Sequence, residues 1–184
     1  MKASGSKGII ITAKHHDGFC LWQTDTTEHS VKNSSWMNGQ GDVVKMLSES
    51  CEKYGLKMGI YLSPWDMNAE SYGDTEAYNE FYMAQLRELL SGEYGPDFDG
   101  DGKGEIFCVW MDGARGEEVP EDFEYWMDEW EALIWELQPD CVAANMGSDV
   151  RWVGNDAGRA RGDAASGVMQ GTAATPQQPS CGEY

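Results

Sequence analysis

Basic residues are scarce in this sequence, and long apolar runs are absent. Thirteen Lys and Arg face 32 Asp and Glu, which gives a formal net charge of −19. Such a chain repels nucleic acids and anionic membranes, so we expect no nucleic-acid partner. No stretch approaches the ~20 apolar residues of a membrane span, and residues 1–6 lack the apolar core of a signal peptide. We therefore expect a soluble protein whose compartment stays unassigned.

The sequence also lacks paired cysteine motifs and nucleotide-binding motifs. The five cysteines are odd in number and widely scattered, with no CxxC pair, so they predict neither a zinc site nor a full disulfide framework. Neither a GxGxxG fingerprint nor a P-loop is present. We therefore expect no cofactor and no catalytic metal.

The sequence alternates β-prone and helical segments. The predicted strands cover residues 8–13, 56–62, 106–110 and 141–145, and the predicted helices lie near 42–54, 75–90 and 121–137. This alternation fits an open doubly wound sheet or part of a (β/α)8 barrel. Reactive residues recur at successive strand ends, which favours the barrel. A whole barrel needs at least ~200 residues, so we predict an α/β fold with a partial TIM-type barrel.

The composition changes towards the carboxyl terminus. After Gly158 the sequence is dominated by Ala, Gly, Ser, Gln and Pro, with few residues to bury. We predict one incomplete domain over residues 1–158 and a poorly ordered tail over residues 159–184.

The apolar, β-prone run at 105–110 stops at Met111 and Asp112. Sealing an unpaired carboxylate in the core would be costly, so we expect Asp112 to face a cleft. Spacing alone leaves another interpretation open, in which Asp112 caps the following segment or pairs with Arg115. Two other strand ends carry similar sets of residues, Lys-His-His-Asp at 14–17 and Ser-Pro-Trp-Asp at 63–66.

Seven ordered tracts carry a family resemblance. They are AKHHDGFCLW at 13–22, SVKNSSW at 30–36, GDVV at 41–44, KYGLK at 53–57, GIYLSPWD at 59–66, WMDGA at 110–114 and DVRWVGN at 149–155. Together they resemble glycoside hydrolase family 29 α-L-fucosidases, and are closer to the branch that acts on α-1,3/1,4-linked fucose. The resemblance implies a catalytic barrel segment that begins at roughly the third strand. Family members are often secreted, periplasmic or lysosomal.

The resemblance also implies a reaction and a substrate. A retaining hydrolase of this family releases terminal α-L-fucose from a fucosylated glycan by double displacement. Asp112 occupies the nucleophile position, and Trp110 shapes its setting. An alternative is a catalytically impaired remnant, or a derivative that only binds fucose or glycans.

Asp156 is the candidate acid/base residue. In the related branch a Glu follows the Val-Gly-Asn segment, where this chain has the shorter Asp156. The retaining mechanism needs carboxyl groups ~5–5.5 Å apart, so the missing methylene matters. A solvated turn residue ahead of Gly158 is the alternative.

Further site residues follow from the same resemblance. His15 and His16 match a pair that binds sugar hydroxyls, and Tyr61 could orient the reacting carboxylate. A metal site at the histidines is disfavoured, because adjacent strand-end residues are expected to point to opposite sides. Trp65 and Asp66 are candidates for contact with the sugar that bears the fucose.

Arg151 is the remaining candidate. It could pair with a carboxylate of the site, and an ordinary surface ion pair is the alternative.

Residues 97–105 form an acidic segment that begins like an EF-hand calcium loop. The twelfth position of such a loop requires a bidentate Glu, and here it is Cys108. A solvated acidic loop is therefore favoured over a calcium site.

Overall fold

The computed structural model describes residues 1–116 and 119–153, and this part contains a four-stranded parallel sheet. The strands are β1 (Gly8–Lys14), β2 (Lys57–Leu62), β3 (Ile106–Met111) and β4 (Val142–Asn145). Their spatial order is β1-β2-β3-β4, so each strand pairs with the next in sequence. In a doubly wound sheet, the order in which consecutive strands are added reverses at a switch point. The observed order is that of a barrel segment, as predicted.

Three α-helices connect these strands. They are α1 (Val43–Tyr54), α2 (Thr75–Leu90) and α3 (Met127–Leu137). Asp42 caps α1 by accepting a hydrogen bond from the N–H of Lys45, and Gly55 ends it with φ of 62°. The first two helices are confirmed within one residue of their predicted bounds.

The third helix begins six residues later than predicted. Residues 121–126 are not helical, and the buried Asn79 of α2 occupies two of their backbone groups. Its side-chain oxygen accepts from the N–H of Trp126 at 2.8 Å, and its amide donates to the carbonyl of Glu124 at 2.8 Å. The predicted apolar stripe nevertheless packs inside, with Phe123 and Trp130 both buried. A tertiary contact therefore overrides the helical pattern of this segment.

The end of β1 contains a bulge. Thr12 pairs with Tyr61 and Lys14 pairs with Leu62, so the register shifts between them. Consecutive residues Ala13 and Lys14 are both buried, and Lys14 Nζ lies 5.5 Å from the ring centre of Tyr82 on α2. Bulges re-aim side chains at strand ends. Here the bulge turns Lys14 towards α2 just before the histidine pair.

Among the helices of the described residues, none combines the length and apolar character needed to cross a bilayer. The predicted tail at residues 159–184 and its boundary at 158 lie outside the described part of the chain.

Candidate active site

The carboxyl ends of β1, β2 and β3 lie side by side and carry the candidate residues. His15 and His16 follow β1, Tyr61 is near the end of β2, and Asp112 follows β3. Since the strands are parallel and adjacent, these side chains gather at one edge of the sheet.

Asp112 is held through both of its carboxylate oxygens. The hydroxyl of Tyr61 donates to Oδ2 at 2.7 Å, and the backbone N–H of Ala114 donates to Oδ1 at 2.8 Å. The capping contact proposed as an alternative is thus present alongside the cross-strand contact. The guanidinium of Arg115 instead donates to the carbonyl of Phe123 and lies 5.1 Å from the centre of that ring. Asp112 is therefore a partly buried carboxylate with a fixed orientation.

Four rings form a continuous row that ends at Asp112; we call Trp65, His16, His15 and Tyr61 the ring row. His15 stacks on Tyr61 with centroids 5.5 Å apart and planes 7° apart. His16 lies 4.0 Å from His15, and Trp65 lies 4.8 Å from His16. The expectation that the two histidines point to opposite sides is wrong, because the rings are neighbours. The bulge in β1 disturbs the regular alternation on which that expectation rested.

Ser63 is a site residue to which the sequence analysis gave no role, although it quoted the strand-end set at 63–66. Its hydroxyl lies 2.7 Å from His16 Nδ1 and donates to the carbonyl of Trp65 at 2.7 Å. The backbone supports this contact, since Ser63 N–H donates to the carbonyl of Lys14 and Met67 N–H donates to that of His16. The only sequence signal was a polar residue immediately after the apolar strand β2.

Asp66 is placed differently from the sugar contact that the resemblance implied. It is 2% exposed and forms an ion pair with the fully buried Lys14 at 2.9 Å. Its other oxygen accepts from the backbone N–H groups of Asn68 and Ala69. Burial lowers the pKa of Lys14 below its usual value, and the Asp66 carboxylate opposes this shift. These contacts favour a structural role for Asp66, joining the end of β1 to the loop after β2.

Gly18 accommodates that ion pair. Its φ is +75°, and a Cβ at this position would lie 2.3 Å from Asp66 Oδ1. Both the backbone conformation and the space therefore require glycine here.

The remaining candidates lie towards β4. Trp110 is partly buried and meets the ring of Trp152 edge-on at 6.1 Å. Arg151 is exposed in the segment after β4. Asp156, the candidate acid/base residue, lies outside the described residues.

The acidic segment lies at the opposite end of β3, before its first residue. Carboxylate oxygens of Asp97, Asp99 and Asp101 lie within 4.8 Å of one another, the one such group of potential metal ligands among residues 1–116 and 119–153. Each of the three also accepts hydrogen bonds from backbone N–H groups of the same loop. Cys108, at the twelfth position, is buried within β3. This geometry adds no ligand beyond the loop and leaves a solvated acidic loop the favoured interpretation.

The edge as a whole suits a polyhydroxylated ligand. A fixed carboxylate provides a nucleophile or base, imidazoles can donate and accept hydrogen bonds, and Trp65 offers an aromatic face for the apolar side of a sugar ring.

The sequence resembles members of one protein family. A model of the family "Alpha-L-fucosidase" matches residues 1–161. Alpha-L-fucosidase 1 of Arabidopsis thaliana is 49% identical over 160 residues, which cover 86% of this chain and 29% of the relative. Plasma alpha-L-fucosidase of Homo sapiens is 28% identical over 161 residues, covering 82% and 30%. The chain thus spans under a third of the length of these relatives.

Solved structures agree with the sequence matches. A glycoside hydrolase 29 family member from a rumen bacterium superimposes with a TM-score of 0.73 at 45% identity, over 85% of this chain and 29% of that one. A Ruminococcus gnavus GH29 fucosidase in complex with fucose gives a TM-score of 0.71 at 37% identity, over 84% and 34%.

Proposed function

The chain belongs to the alpha-L-fucosidase family, and from this we propose that it carries the nucleophile side of a retaining glycosidase site that releases terminal α-L-fucose from glycans. One observation carries the proposal: the Tyr61 hydroxyl holds the Asp112 carboxylate at 2.7 Å, and Tyr61 itself stacks on His15 of the histidine pair. A fixed carboxylate beside groups that bind hydroxyls is what attack on a sugar carbon requires.

In the first step, a carboxylate oxygen of Asp112 attacks the anomeric carbon of fucose. The bond from that carbon to the glycosidic oxygen breaks as a glycosyl ester forms. We assign the proton that the departing oxygen takes up to the carboxyl group of Asp156, by resemblance to the family pattern. This step displaces the aglycone as an alcohol.

In the second step, a water molecule attacks the same carbon and the ester bond to Asp112 breaks. Asp156 accepts the proton of that water, so both carboxyl groups return to their starting states. Two inversions leave the α configuration of fucose unchanged.

The other residues position the sugar in this proposal. His15 and His16 bind its hydroxyls, and the Tyr61 hydroxyl orients the attacking carboxylate. Trp65 lies at the end of the ring row farthest from Asp112, so we place the sugar that bears the fucose against its face. The α-1,3/1,4 preference rests on the resemblance, as does a supporting role for Arg151 near a site carboxylate.

Release of 4-nitrophenol from its α-L-fucoside tests the activity. We expect turnover by the intact chain, its loss in Asp112→Ala, and higher turnover in Asp156→Glu, which restores the longer acid. Asp99→Asn in the acidic segment is the matched control and should behave like the unsubstituted chain. Fucose binding without turnover in any variant would instead support the glycan-binding derivative. If the chain neither binds fucose nor hydrolyses the fucoside, the proposal is rejected.

The anomer of the first product tests the mechanism separately. Proton NMR during hydrolysis should show α-L-fucose before it equilibrates in water. Initial release of the β anomer would exclude double displacement.

A further inference from the structure

The hydroxyl of Ser63 is fully buried and has two close partners. It lies 2.7 Å from His16 Nδ1 and 2.7 Å from the carbonyl oxygen of Trp65. A serine hydroxyl has one hydrogen to donate and lone pairs that accept. The two contacts must therefore divide the roles of donor and acceptor.

The carbonyl of Trp65 decides how they are divided. A carbonyl oxygen can only accept, so the hydrogen of Ser63 is used in the contact with Trp65. Pointing it at His16 would leave two oxygens facing each other at 2.7 Å without a hydrogen between them. Ser63 must then accept from His16, and Nδ1 of His16 must carry a hydrogen.

We propose that Ser63 is a positioning residue that selects the Nδ1–H tautomer of His16. When the ring is neutral, its second nitrogen, Nε2, carries the lone pair and acts as the acceptor. His16 thereby becomes an obligatory acceptor at Nε2, able to bind a ligand group that donates a hydrogen. The sequence analysis gave Ser63 no role, although it lies in a strand-end tract that carries the family resemblance.

Two neighbouring rings and a backbone hydrogen bond surround His16. His15 lies 4.0 Å from the ring of His16, and Trp65 lies 4.8 Å away at a 32° tilt. The carbonyl of His16 accepts from the N–H of Met67 at 2.8 Å, which ties the backbone to the same loop as Ser63. The ring of His16 is therefore flanked by residues that follow β1 and β2, and the hydroxyl of Ser63 is held within the segment that follows β2.

The consequence for the ligand rests on the proposed function. A neutral His16 with its lone pair on Nε2 accepts from a sugar hydroxyl, while that hydroxyl oxygen stays available to accept from another donor. The Nε2–H tautomer could only donate to that hydroxyl, which would then lose His16 as an acceptor for its own hydrogen, and binding of the sugar would weaken.

Nitrogen-15 NMR of the complete labelled chain tests the tautomer without any need for activity. The chain has three histidines, and the spectrum of His16→Gln assigns the ring signals of His16. At a pH about two units above the usual histidine pKa of ~6.5, we expect a protonated Nδ1 and an unprotonated Nε2. An Nε2–H form as the major species, or two protonated nitrogens, would overturn the proposal.

Variants at Ser63 test whether its hydroxyl makes the selection. In Ser63→Ala we expect the Nε2–H form of His16 to become populated, whereas Ser63→Thr should retain the Nδ1–H form. Ser50→Ala, which removes an exposed hydroxyl on α1, is the matched control. An unchanged tautomer in Ser63→Ala would overturn the proposal. Should that variant fail to fold, Ser63→Cys replaces it, with the same shift expected because a thiol is a weaker partner.

The KM for the fucoside tests whether the tautomer of His16 affects binding of the sugar. If the chain hydrolyses the fucoside, Ser63→Ala should raise KM about tenfold, the effect of one lost hydrogen bond of about 1.4 kcal/mol, and Ser63→Thr should restore it. An unchanged KM in Ser63→Ala, with the tautomer shifted, would overturn the sugar contact. Absence of activity in the unsubstituted chain would count against the proposed function, and the NMR result would stand by itself.

Discussion

The carboxyl ends of β1, β2 and β3 and the acidic segment at 97–105 are both rich in polar side chains, yet they are built differently. At the strand ends, polar groups bond across elements, as in the contacts of Tyr61 with Asp112 and of His16 with Ser63. In the acidic segment, the carboxylates of Asp97 and Asp99 accept from backbone N–H groups of their own loop. Hydrogen bonds between separate strands and loops fix the relative positions of the polar groups at the strand ends. Hydrogen bonds within a single loop fix only the conformation of that loop.

The largest expected effect tests how firmly the strand ends are held. Replacing Lys14 by Met leaves the buried Asp66 carboxylate without its partner, and we expect a loss of about 3–5 kcal/mol in the free energy of unfolding. Urea unfolding measures it. Adding Asp66→Asn should recover part of the loss, since the amide oxygen can still cap Asn68 and Ala69.

The matched control is Lys32→Met, which removes the exposed partner of Asp25. We expect little change in stability from this variant, because solvent screens exposed ion pairs. Equal losses in Lys14→Met and Lys32→Met would contradict the distinction between buried and exposed charge.

The next effect concerns the cross-strand contact on Asp112. Tyr61→Phe removes a hydrogen bond to a charged group, worth about 1.5–3 kcal/mol, so we expect kcat for the fucoside to fall roughly ten- to a hundredfold. Tyr54→Phe, at the exposed end of α1, is the control and should retain full activity. A kcat of Tyr61→Phe equal to that of the unsubstituted chain would show that Asp112 does not depend on this hydroxyl.

A smaller effect follows from three buried thiols, those of Cys20, Cys108 and Cys141. Burial raises the pKa of Cys20 and Cys141 to about 12, and that of Cys108 to about 11, from 9.0. Above pH 9 the unfolded chain releases these protons while the folded chain keeps them. Their contribution to stability is therefore complete below pH 9 and is lost as the pH rises towards 12.

Each such thiol should lower the free energy of unfolding by about 1.4 kcal/mol per pH unit in that range. Urea unfolding at about pH 8 and about pH 10 should show a shallower decline in Cys20→Ala than in the unsubstituted chain. Parallel declines would mean that the Cys20 thiol is not protected from ionisation.

The smallest effect is expected in the acidic segment. Asp99→Asn and Asp101→Asn keep an acceptor oxygen for the loop, so stability should change by no more than about 0.5 kcal/mol. Millimolar calcium should leave the thermal midpoint unchanged. A rise in the midpoint that disappears in Asp99→Asn would identify a calcium site and erase the contrast with the strand ends.

The elements were largely predictable because their signals are local. Apolar runs and capping residues indicated the four strands and the first two helices within one residue at each end. The start of α3 was not predictable, since it depends on the side chain of Asn79 meeting a segment more than 40 residues away. A long-range contact of this kind has no signal within the segment it alters.

The sequence by itself determined the alternation of strands and helices, the family resemblance, and the polar residues at the strand ends. Tertiary structure alone decided which of these residues meet. The contacts of Tyr61 with Asp112, Lys14 with Asp66 and His16 with Ser63 join residues 51, 52 and 47 positions apart. They depend on parallel pairing and on the bulge in β1, because a shift of one residue in register sends a side chain to the other face of a sheet.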